Sequence, residues 1–158
     1  MNKIFYAILI FVAIMQEAAA QKMEENNFTL SEGVTYTVKR FYNSKTSPYG
    51  DAGAVQTHYY AKDHRFKTAW IEFSNNMDKD IEIDFEKIFL IGADNKRYHI
   101  HQVAQGMQIT TTVEDYKKML KPGKTKVFMA KFWPIFPKDE KIQEMEVYGQ
   151  SISLKQAE

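Results

Sequence analysis

Short stretches in which apolar and polar residues alternate recur along this chain of 158 residues. Residues two apart share one face of a β-strand, so each such stretch predicts a strand with one face toward a core. In residues 34–42, for example, Val34, Tyr36 and Val38 alternate with polar residues. The pattern predicts further strands within residues 56–61, 66–74, 80–84, 97–103, 124–132 and 142–154, and a short apolar run predicts one at 88–91. An aromatic content of 14% favours the same structure, because aromatic side chains suit pleated, half-buried surfaces.

The segments between these strands carry turn-forming residues. Residues 43–53 are rich in Asn, Ser, Pro, Gly and Asp and predict a long loop. Residues 92–96 predict a tight turn within a hairpin, and Pro122-Gly123 suits a type II turn because Gly permits a positive φ. Thr112 as N-cap, followed by acidic residues, predicts a short helix over residues 113–120. Many short strands with little helix predict an all-β, antiparallel β-sandwich.

The first twenty residues have the three parts of a cleavable signal peptide. A positive start at Lys3 precedes an uncharged apolar run over residues 4–15, and the small residues Ala18 to Ala20 offer a cleavage pattern. Twelve apolar residues rise only about 18 Å as a helix, which is short of a hydrocarbon core of roughly 30 Å. We therefore expect a signal peptide at 1–20, with Gln21 as the first mature residue. A flexible leader is expected at 21–27 and a single β-sandwich domain at 28–158.

Cysteine is absent and the net charge is +1. The missing cysteine excludes disulfides, thiolate metal sites, a cysteine nucleophile and a lipid-modified cysteine. Lys and Arg are spread along the chain, whereas a nucleic-acid-binding surface needs a concentrated basic face, so no nucleic-acid partner is expected. After cleavage the domain should have no stable membrane anchor and should work in the periplasm or in the medium.

The stretch from residue 68 to 154 has a recognisable layout. Its elements are Ala69-Trp70-Ile71-Glu72-Phe73 ending in Ser74-Asn75-Asn76, Asp94-Asn95-Lys96 before Arg97-Tyr98, and Leu120-Lys121-Pro122-Gly123-Lys124 before a strand that runs toward Pro134. This layout resembles bacterial immunoglobulin-like extracellular domains of the DUF4352 type. The segments 133–137 and 104–118 depart from that pattern. The resemblance implies an immunoglobulin-like β-sandwich in an exported protein, and it implies no reaction, because a fold does not fix a function.

Two histidines form the most suggestive metal-ligating pair. His99 and His101 alternate on a predicted strand, so both imidazoles would share one face about 6–7 Å apart and could reach one ion. A third ligand would have to come from His58, His64 or a carboxylate. The alternative is that both histidines are polar residues on the solvent face of a hairpin strand. The acidic residues between 78 and 84 also alternate, but they lack the glycine turn of a calcium loop and fit a solvated face better.

An aromatic segment is the leading candidate for binding. Two prolines interrupt residues 132–137, so part of this segment should leave the sheet and could expose Trp133, Ile135 and Phe136 as an apolar patch. Tyr59 and Tyr60 could extend the patch. The alternative is that these rings fold back and plug one end of the sandwich.

The sequence therefore predicts an exported, non-catalytic β-sandwich domain that binds a protein or another component of the cell envelope. No catalytic residue and no cofactor are expected, because no nucleophile motif and no phosphate-binding glycine loop occurs. The alternative is a periplasmic enzyme that depends on a metal at the two histidines or on a pair of carboxylates.

Overall fold

A computed structural model describes residues 21–22, 27–49, 57–60, 62–105, 108–109, 116–133 and 135–154 of the protein. Within these ranges the chain forms fifteen β-strands and one 3₁₀ turn, Phe85–Lys87. The strands are β1 Gln21–Lys22, β2 Phe28–Ser31, β3 Val34–Ser44, β4 Thr46–Tyr49, β5 Thr57–Tyr60, β6 His64–Asn75, β7 Ile81–Asp84, β8 Ile88–Gly92, β9 Arg97–Gln105, β10 Gln108–Ile109, β11 Lys117–Leu120, β12 Lys124–Trp133, β13 Phe136–Pro137, β14 Ile142–Val147 and β15 Gln150–Ser153.

One antiparallel sheet contains most of these strands. Its order is β1–β3–β6–β12–β9–β8–β14–β15, with β2 beside β3, β10 beside β9 and β13 beside β6. The pairs β7–β11 and β4–β5 lie outside it. The sheet curls so that its two ends are in contact. The Gln150 side chain of β15 donates from Nε2 to the Thr29 backbone oxygen at 2.9 Å and accepts from the Tyr36 hydroxyl at 3.2 Å. One glutamine therefore links the two ends of the curled sheet.

The core lies on the inner face of the sheet and is closed by the 3₁₀ turn. Phe73 of β6, Phe128 of β12 and Phe85 of the turn are fully buried, and their ring centroids lie 5.2, 5.9 and 6.1 Å apart in edge-on pairs. Such pairs contribute about 0.5–1.5 kcal/mol beyond their buried area. Ile83 of β7 and Leu120 of β11 are also fully buried, so the β7–β11 pair packs on the same core.

Asn75 organises the turn after β6. Its side chain is fully buried, and its Nδ2 donates to the backbone oxygens of Lys79 at 2.8 Å and Leu120 at 2.9 Å. Its Oδ1 accepts from the Met77 backbone N–H at 2.9 Å. A single amide thus satisfies three backbone groups and fastens β11 to the end of β6.

The prediction of an all-β, antiparallel fold is confirmed, and so is the hairpin around residues 92–96, which joins β8 to β9. Gly123 has the positive φ, 64°, that its turn requires. Residues 43–53 were expected to be a loop. That prediction is wrong where β3 extends to Ser44 and where β4 pairs with β5.

The predicted helix over residues 113–120 is also wrong where the structure describes it. Residues 113–115 lie outside the described part, and Lys117–Leu120 is the strand β11, paired with β7. The pairing places Leu120 in the core and brings Lys117 Nζ within 3.4 Å of a Glu82 carboxylate oxygen. Within the described ranges the only helical element is the 3₁₀ turn.

Residues 21 and 22, expected in the leader, pair with Phe41 and Arg40 of β3. The predicted signal peptide at 1–20 lies outside the described residues. Among the residues that the structure does describe, no helix has the length and apolar character needed to cross a membrane.

Candidate functional site

The structure places His99 on the solvent side of β9. Its side chain is exposed, and its ring meets that of Phe89, the residue opposite it on β8, with the centroids 5.1 Å apart at 72°. His99 therefore belongs to an aromatic contact between two strands.

His101 lies at a β-bulge. The pairing of β9 with β12 passes from Gln102 opposite Lys131 to Ile100 opposite Phe132, so His101 is the extra residue between them. Burial lowers the pKa of His101, and the nearby ammonium of Lys131 lowers that pKa further. The same positive charge disfavours a metal cation at His101. Among the described residues, no group of three His, Asp or Glu side chains is placed to hold a metal ion.

Of the candidate binding residues in the aromatic segment, the structure describes the side chains of Ile135 and Phe136. Phe136 is fully buried, and its ring packs on that of Tyr98 at 4.5 Å, so the prediction that it is an exposed contact is wrong. The physical reason is that β13 pairs with the start of β6 and turns Phe136 inward. Ile135 is half-buried. The side chains of Trp133, Tyr59 and Tyr60 lie outside what the structure describes, although their backbones belong to β12 and β5.

A buried lysine lies beneath Phe136. Lys67 of β6 is 3% exposed, and its Nζ donates to Asn43 Oδ1 at 3.0 Å and to the Glu140 backbone oxygen at 3.1 Å. The ammonium also lies 5.2 Å from the centroid of the Phe136 ring. Burial lowers the pKa of Lys67 to about 8, an effect that the Glu140 charge opposes. These contacts hold the chain after β13 against β6 and β3.

The Glu140 carboxylate continues this network. It accepts a hydrogen bond from the Tyr98 hydroxyl at 2.9 Å. Burial and this hydrogen bond raise the pKa of Tyr98 to about 12. Gly92 makes room for the carboxylate, because a Cβ at that position would lie 2.6 Å from Glu140 Oε1. Lys67, Tyr98 and Glu140 make their hydrogen bonds within this network, so we interpret the network as structural.

An open cleft lies on the outer face of the sheet, at the ends of β8, β9 and β14. It has a volume of about 250 Å³. We call it the Phe89–Tyr148 cleft, and its lining residues are Glu86, Lys87, Phe89, Arg97, Glu146, Tyr148 and Gly149. The 3₁₀ turn, the β8–β9 hairpin and the β14–β15 turn each contribute part of the lining.

Arg97 lines the cleft and contacts both Phe89 and Glu146. Its guanidinium carbon lies 4.0 Å from the centroid of the Phe89 ring, and its Nη2 forms an ion pair with Glu146 Oε1. Arginine stacks well on aromatic faces because its guanidinium is planar and weakly hydrated. The Arg97 side chain is 49% exposed, so it remains accessible to a partner while it is held in place.

Tyr148 forms one wall of the cleft, and its backbone conformation is strained. Its φ is 51°, a left-handed value that is costly for a bulky residue, and Gly149 follows with 81°. Three contacts hold Tyr148 in place: its N–H donates to the Lys87 backbone oxygen at 2.9 Å, its hydroxyl accepts from the Asp84 N–H, and Lys87 Nζ lies 5.4 Å from its ring centroid. Strained residues that their surroundings hold in place are concentrated at functional sites.

The cleft therefore presents two aromatic rings, each beside a cation, together with two carboxylates. Such groups bind through charge, hydrogen bonds and ring contact. The sequence-based predictions include His99 but not the cleft. A bulky Tyr before Gly149, between two strands, was the available signal, because a two-residue hairpin turn favours Asn or Gly at that position.

No protein-family model and no curated protein matches the sequence. Two solved structures resemble the fold. A conserved hypothetical protein from Bacillus anthracis is 14% identical with a TM-score of 0.58, and the match covers 89% of this chain and 100% of that one. An uncharacterised β-sandwich protein from Clostridium difficile 630 is 13% identical with a TM-score of 0.51, and the match covers 78% of this chain and 83% of that one. At such identities the likeness shows the β-sandwich fold alone.

Proposed function

We propose that this protein is an exported, non-catalytic β-sandwich module that binds a protein or another envelope component at the Phe89–Tyr148 cleft. The observation that carries the proposal is Tyr148, a bulky residue with a φ of 51° whose backbone and hydroxyl are both held by hydrogen bonds. Holding an aromatic wall in a costly conformation is expected where a partner uses that wall. The resemblance to DUF4352-type domains fits an accessory role outside the cytoplasm.

The charges of the cleft favour a partner that carries both signs, as a folded protein surface does. Lys87 and Arg97 lie beside Glu86 and Glu146, so the lining is balanced. Charge complementarity then sets the orientation of the partner, while the aromatic ring of Tyr148 and the guanidinium of Arg97 supply most of the binding energy.

Site-specific photo-crosslinking tests the binding site. The mature domain carries a photoreactive residue in place of Lys87, at the cleft, or in place of Lys121, an exposed residue in the turn before β12. We expect a discrete crosslinked product from the cleft position in the native envelope fraction and none from the control position. Equal crosslinking at both positions would contradict the proposal.

A charge reversal tests the role of Arg97. Arg97→Glu would place a carboxylate against Glu146, so we expect partner capture to weaken about tenfold or more with the fold retained. Lys121→Glu is the matched control, because it makes the same change in net charge at an exposed turn. Circular dichroism confirms that both variants are folded. Unchanged capture by Arg97→Glu counts against the cleft as the contact surface.

Export is tested with the full chain. We expect the mature protein outside the cytoplasm to begin at Gln21, which N-terminal sequencing reads directly. Replacing Ala20 by arginine removes the small residue before the cleavage point and should leave an unprocessed precursor. A full-length chain that stays in the cytoplasm would overturn the signal-peptide assignment.

A further inference from the structure

Gln102 is a buried polar residue on the face of the sheet opposite the core. It is 4% exposed, and its Nε2 is a buried side-chain nitrogen for which the described part of the chain supplies no hydrogen-bond acceptor. Nearly all buried polar groups in native proteins are paired, so an exception calls for a cause such as a ligand. The amide therefore holds a buried N–H donor that no acceptor among the described residues satisfies.

The neighbours of Gln102 extend this feature into a row across four strands. Gln102 of β9 lies opposite Lys131 of β12, Lys131 lies opposite Thr68 of β6, and Thr68 lies opposite Tyr42 of β3. Directly opposed residues have Cβ atoms about 5 Å apart. Thr68 is 2% exposed, so the middle of the row is buried as well.

The bulge at His101 brings a further polar group to the same place. Burial lowers the pKa of His101, and the positive charge of Lys131 lowers that pKa further. Bulges commonly occur next to functional sites, where they redirect a side chain. An extra residue in β9 thus shifts the register beside Gln102 and Lys131.

The chemistry of the row suits a ligand that accepts hydrogen bonds and carries negative charge. The Gln102 amide nitrogen is a donor, and an ammonium has three N–H donors, so Lys131 can bind a ligand and keep another contact. Burial lowers the pKa of Lys131 to about 8, which still leaves it mainly protonated at neutral pH. Charge-assisted hydrogen bonds of this kind are the strong ones.

We propose that the Gln102–Lys131 row binds a small oxyanion, a carboxylate or phosphate group, whose oxygens accept hydrogen bonds from Gln102 Nε2 and Lys131 Nζ. The site shares no lining residue with the Phe89–Tyr148 cleft and does not depend on the function proposed for that cleft.

Nuclear magnetic resonance of the mature domain tests the proposal directly. Sodium phosphate and sodium acetate are titrated separately, with sodium chloride holding the ionic strength constant. We expect the side-chain amide signal of Gln102 to shift and saturate with at least one of them. Saturation by phosphate alone assigns a phosphate site, and saturation by acetate alone assigns a carboxylate site. A Gln102 signal that responds to neither anion would overturn the proposal.

Two variants separate binding from structure. Gln102→Leu removes the donor and fills the site with an apolar group, so we expect anion binding to weaken about tenfold or more. Gln143→Leu is the matched control, because Gln143 is exposed on β14. The anion should raise the Tm of the wild type and of Gln143→Leu but not that of Gln102→Leu. If the anion raises the Tm of Gln102→Leu to the same extent, the proposed site is wrong.

Discussion

The hydrogen bonds of Asn75 provide a sharp test of how this fold is held together. Replacing Asn75 by alanine removes three bonds at once, from Nδ2 to the Lys79 and Leu120 backbone oxygens and from the Met77 N–H to Oδ1. The affected groups connect the end of β6 to the β7–β11 pair, whose residues Ile83 and Leu120 complete the core. The substitution should therefore weaken the attachment of one whole strand pair.

The size of the effect follows from the number and burial of these bonds. Each neutral hydrogen bond contributes about 1 kcal/mol, and a buried group left unpaired costs about 1–3 kcal/mol. Leu120 is fully buried, so water cannot easily replace the amide at its carbonyl. We expect Asn75→Ala to lower the free energy of unfolding by about 3 kcal/mol, which is a large part of the roughly 5–15 kcal/mol that holds a typical domain.

Urea denaturation followed by circular dichroism measures this change. With a slope of about 2 kcal/mol per molar urea, the midpoint should fall by about 1.5 M. Asn76→Ala is the matched control, because the Asn76 side chain is exposed. The backbone N–H of Asn76 donates a hydrogen bond to the Gly33 oxygen at 2.7 Å, and the substitution leaves that bond in place. The control should stay within about 0.5 kcal/mol of wild type. If the two variants have the same stability, the three bonds do not hold the turn and the reasoning fails.

Three further predictions concern the buried residues Lys67 and Phe136 and the turn residue Gly33. The pKa of Lys67 is lower in the folded chain, about 8, than its ordinary 10.5, so the unfolded chain binds more protons between these values and the free energy of unfolding should rise with pH there. The rise from Lys67 amounts to at most roughly 3 kcal/mol, and urea midpoints at about pH 8 and about pH 10 should differ less in Lys67→Met than in wild type. Phe136→Ala should destabilise by about 3–5 kcal/mol in thermal and urea unfolding, as a core ring would, and a change below about 1 kcal/mol would mean that the ring is not core. Gly33→Ala should lower the Tm, because Gly33 has a φ of 69° and a Cβ would lie 2.7 Å from Met77 Cγ; an unchanged Tm would contradict that geometry.

Local sequence patterns predicted those strands and turns whose conformation depends on neighbouring residues alone. The alternation of Val34, Tyr36 and Val38 predicted a half-buried strand, and all three side chains are buried in β3. Pro122-Gly123 predicted a turn with a positive φ, which Gly123 has. In both cases the determining interactions lie within a few residues of chain.

The predicted helix shows where local signals fail. An N-cap residue and acidic residues after it favour a helix, but residues 117–120 pair with β7 instead. That pairing places the apolar Leu120 in the core, an advantage that a short, isolated helical turn cannot match. Propensity is a weak preference, and a strand partner distant in sequence overrides it.

The candidate sites show the same limit. Nothing local marks Phe136 as a core residue, since its burial depends on β13 pairing with β6, about seventy residues earlier in the chain. Likewise the bulge at His101 appears only when β9 is set against β12. The lining of the Phe89–Tyr148 cleft runs from Glu86 to Gly149 and is assembled by the strand order.

The sequence by itself determined the all-β class, most strand positions and the tight turns, because side-chain alternation and backbone dihedral preferences act between near neighbours. The tertiary structure alone decided the strand order, the inward turn of Phe136, the burial of Lys67 and the grouping of the cleft and of the Gln102–Lys131 row. Strand pairing joins residues far apart in the chain, and its register is chosen by what the whole core can bury. Such a choice leaves no mark on any single stretch of sequence.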